Sequence, residues 1–416
     1  MTLKLRRRDA LLMAAGTTLA GTTLIGRRAR AEGKYSPGAS DTEIKMGQTM
    51  PYSGNASAYG VNGRAHVAFF RMINEQGGIN GRKVNLISLD DGYSPPKTVE
   101  LTRQLIERDQ VLLLFAPLGT ACNTAIQKYM NQKKVPQLFV ASGASKWGNP
   151  KQFPWTMGWQ PDYHTEGAIY AKHALRTVKD PKFAILRQND DMGVDYFDGF
   201  MEGLKEGLGK DYEKSVAMTA TYEVTDATVD SQVLQLKNSG ANVFYNVTTP
   251  KFAAQAIKKV AEIGWKPTQY LVNVSASIGA AIRPAGFENC QGIITAQYIK
   301  DITDPSWAGS PDFIAWRAWM DKFNPTANPM ESATATGYAA AFTMAQVLRQ
   351  CGDDLTRENV MRQAANLHDL DIPMLLPGIK ANTSPTDFYP LKSVRLSHIE
   401  GEHWKLFGDL MTRSVT

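Results

Sequence analysis

The apolar positions of this chain switch repeatedly between two periods, and each switch marks a new element. Residues 43–50 and 83–89 read as short strands. Between them 60–76 reads as a helix, because Val61, Ala65, Ala68, Phe69 and Met72 fall three or four apart. Gly77-Gly78 stops that helix, and Asn80-Gly81 turns the chain into the next strand. The cycle continues with a helix over 96–108, a strand over 111–116, a helix over 124–132 and a strand over 137–140. A second run follows "WTMGWQPDYHTEG", with strands over 183–187, 215–222, 241–246 and 269–272 and helices over 194–207, 228–238 and 252–263. A return strand over 292–298 precedes helices in "SPDFIAWRAWMDKF" and "SATATGYAAAFTMAQVLRQ". The stretch beyond, with Pro373, Pro377, Pro385 and Pro390, reads as irregular. Alternating strands and helices predict an α/β fold with parallel-sheet cores. At 416 residues the chain exceeds the roughly 250–300 at which single cores stop growing, so two lobes are expected.

The first 31 residues stand apart from this pattern. Lys4 and Arg6 to Arg8 precede a mostly uncharged stretch from Ala10 to Gly26, and Ala29-Arg30-Ala31 has the small-residue spacing of a signal-peptidase site. Residues 1–31 are therefore expected to be a cleaved signal peptide. "RRRDALLMA" fits a twin-arginine signal, while Arg27, Arg28 and Arg30 beside the cut leave Sec export open. The segment falls short of the ~20 apolar residues of a membrane span, and no Cys follows it to anchor a lipoprotein. It also holds nearly all of the net charge of +6, so the exported chain is close to neutral, with no basic patch for nucleic acid or acidic lipid. Cys122, Cys290 and Cys351 match no metal spacing, and their odd number leaves at least one thiol unpaired.

Candidate chemistry concentrates in two loops. Leu118-Gly119-Thr120 follows one strand and precedes a helix, and Ser142-Gly143-Ala144-Ser145 repeats the arrangement after the next strand. Ligands of parallel sheets collect at the carboxyl ends of strands, where Gly lets the backbone approach and helix N-termini favour anions. Such loops, with hydroxyls and amides but no acid or base, would hold a carboxylate without attacking it. Alternatively, both are ordinary strand-to-helix caps. The six histidines are scattered without a Cys or acid cluster, Asp90-Asp91 lacks the oxygens calcium needs, and Cys122 has no His beside it in sequence. Trp147, Trp155 and Trp159 read either as a stacking surface or as packing. No G-x-G-x-x-G opens a helix after a strand and no G-x-S-x-G is present, which argues against an enzyme.

"MPYSGNASAYG", "INEQGGINGRKV", "LDDGYSPPKTVELTRQLI", the two loops and "AEIGWKPTQYL" occur in the order and spacing of the branched-chain amino acid type of periplasmic binding protein. Over about 42–410 the chain resembles these solute receptors of ABC importers. The resemblance implies a type I fold, two Rossmann-like lobes joined by three crossovers and closing on a small solute, with no cofactor and with an ABC permease as partner. It places lobe 1 at 42–157 plus 297–376 and lobe 2 at 158–296 plus 377–416, with crossovers near 155–159, 294–298 and 376–378. Carried across by position, the carboxylate contacts fall on Thr120, Gly143 and Ser145, with Leu118, Gly119 and Ala144 beside them and Tyr59 as an aromatic wall. On the second lobe the matching positions are Met192, Thr248 and Asn273. The family's acid for a ligand ammonium falls near 273–275, where "LVNVSASIG" has none. Asp190 or Asp191 could substitute, or could be turn residues. An unpaired buried ammonium costs several kcal/mol, so the expected solute is a non-amino carboxylic acid, with aromatic acids such as a benzoate or phenylpropenoate among the options, bound by a monomeric receptor. A branched-chain amino acid, a small amide, or a sensor role for the same fold remains open.

Overall fold

A computed structural model describes residues 33–412. The signal peptide expected at 1–31 lies outside the described residues. The first sheet holds five parallel strands: β1 (Glu43–Met50), β2 (Lys83–Asp90), β3 (Leu113–Phe115), β4 (Gln137–Val140) and β5 (Thr156–Gly158), in spatial order 2-1-3-4-5. The second sheet starts with β6 (Phe183–Gln188), β7 (Val216–Tyr222), β8 (Val243–Val247), β9 (Thr268–Leu271) and β10 (Ile294–Gln297), in the same order of 7-6-8-9-10. Strands β11 (Ser393–Glu400) and β12 (His403–Thr412) add an antiparallel hairpin beyond β10. Each lobe is thus a doubly wound sheet with one reversal of strand order. Crevices open at such reversals, beyond β1 and β3 in one lobe and beyond β6 and β8 in the other.

The helices are α1 (Gly60–Glu75), α2 (Pro95–Arg103), α3 (Thr120–Lys133), α4 (Tyr163–Thr177), α5 (Asp191–Leu208), α6 (Asp230–Asn238), α7 (Pro250–Glu262), α8 (Pro311–Phe323), α9 (Ala333–Cys351) and α10 (Arg357–Ala364). α1 packs against α8 and α9, while α2 pairs with α3. Central strands such as β4 and β8 are buried along their whole length, as expected where helices cover both faces. Helices α4 and α5 approach through glycine. A Cβ on Gly199 would lie 2.0 Å from the His164 carbonyl oxygen, and one on Gly167 would lie 2.4 Å from that of Tyr196. Contact through backbone leaves no side chain that can yield.

Three expectations need correction. The C-terminal part is not irregular, since 393–412 forms the β11–β12 hairpin. Helix α3 begins at Thr120 instead of 124, so the Thr-Ala-Cys-Asn turn belongs to the helix. The lobe boundary at 377 also shifts. Thr383 donates to the Ala364 carbonyl at 2.7 Å, and the Tyr389 hydroxyl donates to that of Ser145, tying 377–391 to lobe 1 elements. The last passage between lobes therefore comes just before β11. Leu376 instead pairs with Tyr298 beside the middle crossover.

The α4–α5 contact gives a direct test. Gly199→Ala should lower the free energy of unfolding in urea by ~1–3 kcal/mol or more through overpacking; an unchanged midpoint and slope would contradict the packing described.

Candidate functional site

Between the lobes lies a cavity of about 120 Å³ at the two strand-order reversals. Of the ten positions singled out in the sequence, Tyr59, Leu118, Gly119, Thr120, Met192 and Asn273 line it, and Gly143, Ala144, Ser145 and Thr248 do not.

Lobe 1 supplies the polar end. Gly119, at φ 101°, ends the loop after β3, and its Cα faces the Tyr93 ring so closely that a Cβ would fall 2.6 Å from it. The N–H groups of Thr120, Ala121 and Cys122 form the first turn of α3 and have no preceding helical carbonyl to bond. Ser142 Oγ receives the Trp147 indole N–H at 3.0 Å and the Ala144 amide at 3.3 Å, and lies 2.7 Å from Thr120 Oγ1. Either hydroxyl can donate in the Ser142–Thr120 bond, and Ser142, already receiving two N–H groups, is the better donor, an arrangement that leaves the Thr120 proton for the cavity. The Tyr59 hydroxyl is shielded from water and has no partner among the described residues; Ser275 is near, but the geometry makes no hydrogen bond. Burial of Cys122 pushes its thiol up to about 12, so it is an inert core residue behind the cavity.

Three wall residues adopt left-handed backbone conformations that bulky side chains rarely take: Tyr93 at φ 61°, Ala116 at 48° and Phe139 at 56°. At Phe139 the β4–β5 register slips, which turns the ring out of the strand's alternation. Strain of order 1–3 kcal/mol at each is maintained by the surrounding core and sets the cavity's shape.

The remaining singled-out positions have other work. The Ser145 amide and hydroxyl donate to Asp195 of α5 at 2.9 and 2.5 Å, across the gap between lobes. Beside them Asp191 accepts from Lys146 at 2.5 Å and from Thr124 at 2.9 Å. Burial works to raise the Asp191 carboxyl, but the Lys146 ammonium and the Thr124 hydroxyl hold it below the usual range. Asp190 accepts from the amides of Met192 and Gly193 and caps α5. Gly143 packs against Tyr163, whose ring a Cβ would meet at 2.6 Å. Thr248 donates to Asn246 at 2.7 Å inside lobe 2. Two further seams join the lobes: Asn55 with Lys251 at 3.0 Å and the Val224 carbonyl at 2.8 Å, and Glu331 with Ser277 at 3.0 Å. The conformation is closed.

A model of the family described as periplasmic binding protein matches residues 43–393. The chain belongs to the periplasmic binding protein family. It is 23% identical over 322 residues to the Leu/Ile/Val-binding protein homolog 7 of Brucella abortus, covering 74% of this chain and 77% of that relative. Its fold is similar to a branched chain amino acid ABC transporter from Thermus thermophilus with bound valine, with TM-score 0.79 and 14% identity over 90% of this chain and 98% of that one. It is also similar to a fatty acid ABC transporter substrate-binding protein from Thermomonospora curvata, with TM-score 0.76 and 18% identity over 92% and 95%. These likenesses identify the type I periplasmic binding protein fold.

In this periplasmic binding protein, lobe 2 positions its wall through Glu166 of α4. The Glu166 carboxylate accepts from the Asn273 amide and the Tyr170 hydroxyl at 2.7 Å each, and from the Tyr196 hydroxyl at 3.1 Å. Tyr196 in turn stacks on Tyr163 of the cavity at 4.1 Å. Burial outweighs these bonds and raises Glu166 from the ordinary 4.5 to about 7. Trp159 reaches the cavity and donates to Thr343 at 3.0 Å, fixing the first crossover, whereas Trp147 is packed beneath the Ser142 loop. Among the wall residues that sequence reasoning did not place in the site are His66, Tyr93 and Glu331. His66 had a signal, since Tyr59, Asn62 and His66 recur at helical spacing on one face of α1. Glu331, on the segment before α9, had none.

The raised Glu166 carboxyl has a definite linkage. Its native value lies above its unfolded one, so its contribution to stability is complete below pH 4.5 and is lost as pH rises through about 7. Glu166→Gln should flatten the stability–pH curve across that window by an amount of order ~3 kcal/mol. Parallel curves for wild type and variant in urea titrations would refute this assignment.

Proposed function

We propose that this chain is an extracytoplasmic solute receptor that closes on a small carboxylic acid and delivers it to an ABC permease. The acid is of the non-amino kind and carries an apolar, aromatic body. The observation that carries this reading is the set of donors lacking acceptors, namely the Thr120 proton, the Tyr59 hydroxyl and the α3 amides, at a cavity whose wall also carries Phe139, Trp159, Tyr298 and Trp404, with Lys300 held by its ion pair to Asp312. Donors without a fixed positive charge suit an anion, and the α3 dipole adds to its binding. Leu118, Gly119 and Met192 shape the carboxylate end, Asn273 faces it from lobe 2, and Gly143, Ala144 and Ser145 serve the seam. At about 120 Å³ the closed cavity is smaller than the roughly 150 Å³ one that takes up a benzene ring, so it suits a compact acid and excludes a long acyl chain.

Export through the expected signal peptide and the family membership support delivery to a permease. A second reading, an amino acid, draws on the relatives named for leucine, isoleucine and valine and on Glu331 in the cavity wall. Glu331 is less suited to an α-ammonium. It comes from the α1–α9 face of the first sheet, whereas Thr120 heads a helix paired with α2, and the two charges of an amino acid are only two bonds apart.

Thr120→Ala should weaken binding of a carboxylic acid by roughly ten- to a hundredfold, while a neutral amide analogue changes little. Titration calorimetry with benzoate, phenylpropenoate, their amides, and leucine and valine tests both readings. Equal losses toward acid and amide would remove the carboxylate from Thr120, and tight binding of leucine alone would favour the amino acid.

A further inference from the structure

His66 is the one imidazole among the described residues that lines the cavity, and its surroundings fix what it can do there. Its Nδ1 lies 3.0 Å from Gln48 Oε1, while Gln48 Nε2 donates to Ser88 Oγ at 2.7 Å. Ser88 Oγ lies 2.5 Å from the Tyr52 hydroxyl, which completes the chain. With Gln48 donating to Ser88 and presenting its carbonyl oxygen to the ring, the imidazole proton is assigned to Nδ1. Nε2, on the opposite edge of the ring, is then a bare acceptor, and the one hydrogen bond of the ring to a described residue is that at Nδ1. Burial lowers the imidazole to about 3, so the ring stays neutral at any physiological pH. The ring lies 4.7 Å from Phe115 at a tilt of 58°, which leaves it little freedom to turn.

The position along α1 matters as much as the tautomer. His66 lies seven residues beyond Tyr59, about 10 Å along the helix axis. It lines the same cavity as Phe139, Trp159 and Ala340. An unmet acceptor on the cavity wall selects a neutral donor on the solute, because a hydroxyl satisfies it without bringing a charge that would need its own partner.

We propose that His66 is a specificity-determining residue whose Nε2 accepts a hydrogen bond from a hydroxyl on the solute, at the end away from its carboxylate. The solute class is a hydroxylated aromatic carboxylic acid. This inference rests on the carboxylate reading above and narrows it.

The test is calorimetry of wild type and His66→Leu with three benzoates and three phenylpropenoates, each bearing hydrogen, hydroxyl or methoxy at the para position. In at least one series wild type should bind the hydroxy acid at least tenfold more tightly than the methoxy and unsubstituted acids. His66→Leu should lose that preference by ten- to a hundredfold while still binding the unsubstituted acid. Gln48→Leu removes the acceptor that fixes Nδ1–H, so it should also erase the preference, and it serves if His66→Leu does not fold. Should neither variant fold, the wild-type series decides. Wild type binding methoxy and hydroxy acids alike, or either variant keeping the preference, overturns the role of His66 while leaving the carboxylate reading intact. Binding of no acid at all would remove the carboxylate reading and this inference with it.

Discussion

Closing two lobes over a cavity takes water from every polar group on its wall, and each group then left without a partner costs about 1–3 kcal/mol. This constraint organises the molecule. Around the rim the groups that lose water gain each other, with Ser145 on Asp195, Lys146 and Thr124 on Asp191, and Asn55 on Lys251. Inside the rim most wall groups are paired as well, with Asn273 on Glu166, Trp159 on Thr343 and Lys300 on Asp312. The exceptions are few: the Tyr59 hydroxyl and His66 Nε2 make no hydrogen bond to a described residue. A largely matched wall with a few unmet groups describes a container whose closed state is completed by its contents.

The scaffold is built so that closure does not deform the walls. Both lobes repeat one strand order, so both open a crevice at the same point of their topology, and the crossovers bring the two crevices face to face. Glycine contacts lock α4 onto α5, and Glu166 carries the position of those helices to Asn273 and Tyr196. Strained backbone at Tyr93, Ala116 and Phe139 holds aromatic surface toward the solute, a cost borne by the buried core behind it.

Much of this was legible in the chain, and the failures have physical causes. Alternating periods gave the two sheets, because strands buried on both faces are short apolar runs and covering helices are amphipathic. The loop at Leu118-Gly119-Thr120 was legible because only a helix start explains glycine followed by small hydroxyl residues there. Ser145 and Thr248 were assigned by position, and what directs their side chains elsewhere is a partner distant in sequence or beneath the surface: Asp195 is fifty residues away. The β11–β12 hairpin carries an alternation at Val394 and Leu396 that a bulge shifts by one residue before Ile399, with a Gly401 turn, and neighbouring prolines masked it. His66 looked isolated because its partners Gln48 and Ser88 lie on strands that meet only in the folded sheet.

The central claim is that the closed conformation belongs to the solute-bound receptor. Its most direct test is small-angle X-ray scattering of protein stripped of carried-over ligand by unfolding and refolding, measured before and after saturation with an acid shown to bind. The account predicts a larger radius of gyration for the empty protein, falling on saturation to the value of the closed structure. Identical scattering from both samples would show that the lobes do not close on their solute, and the account would fail.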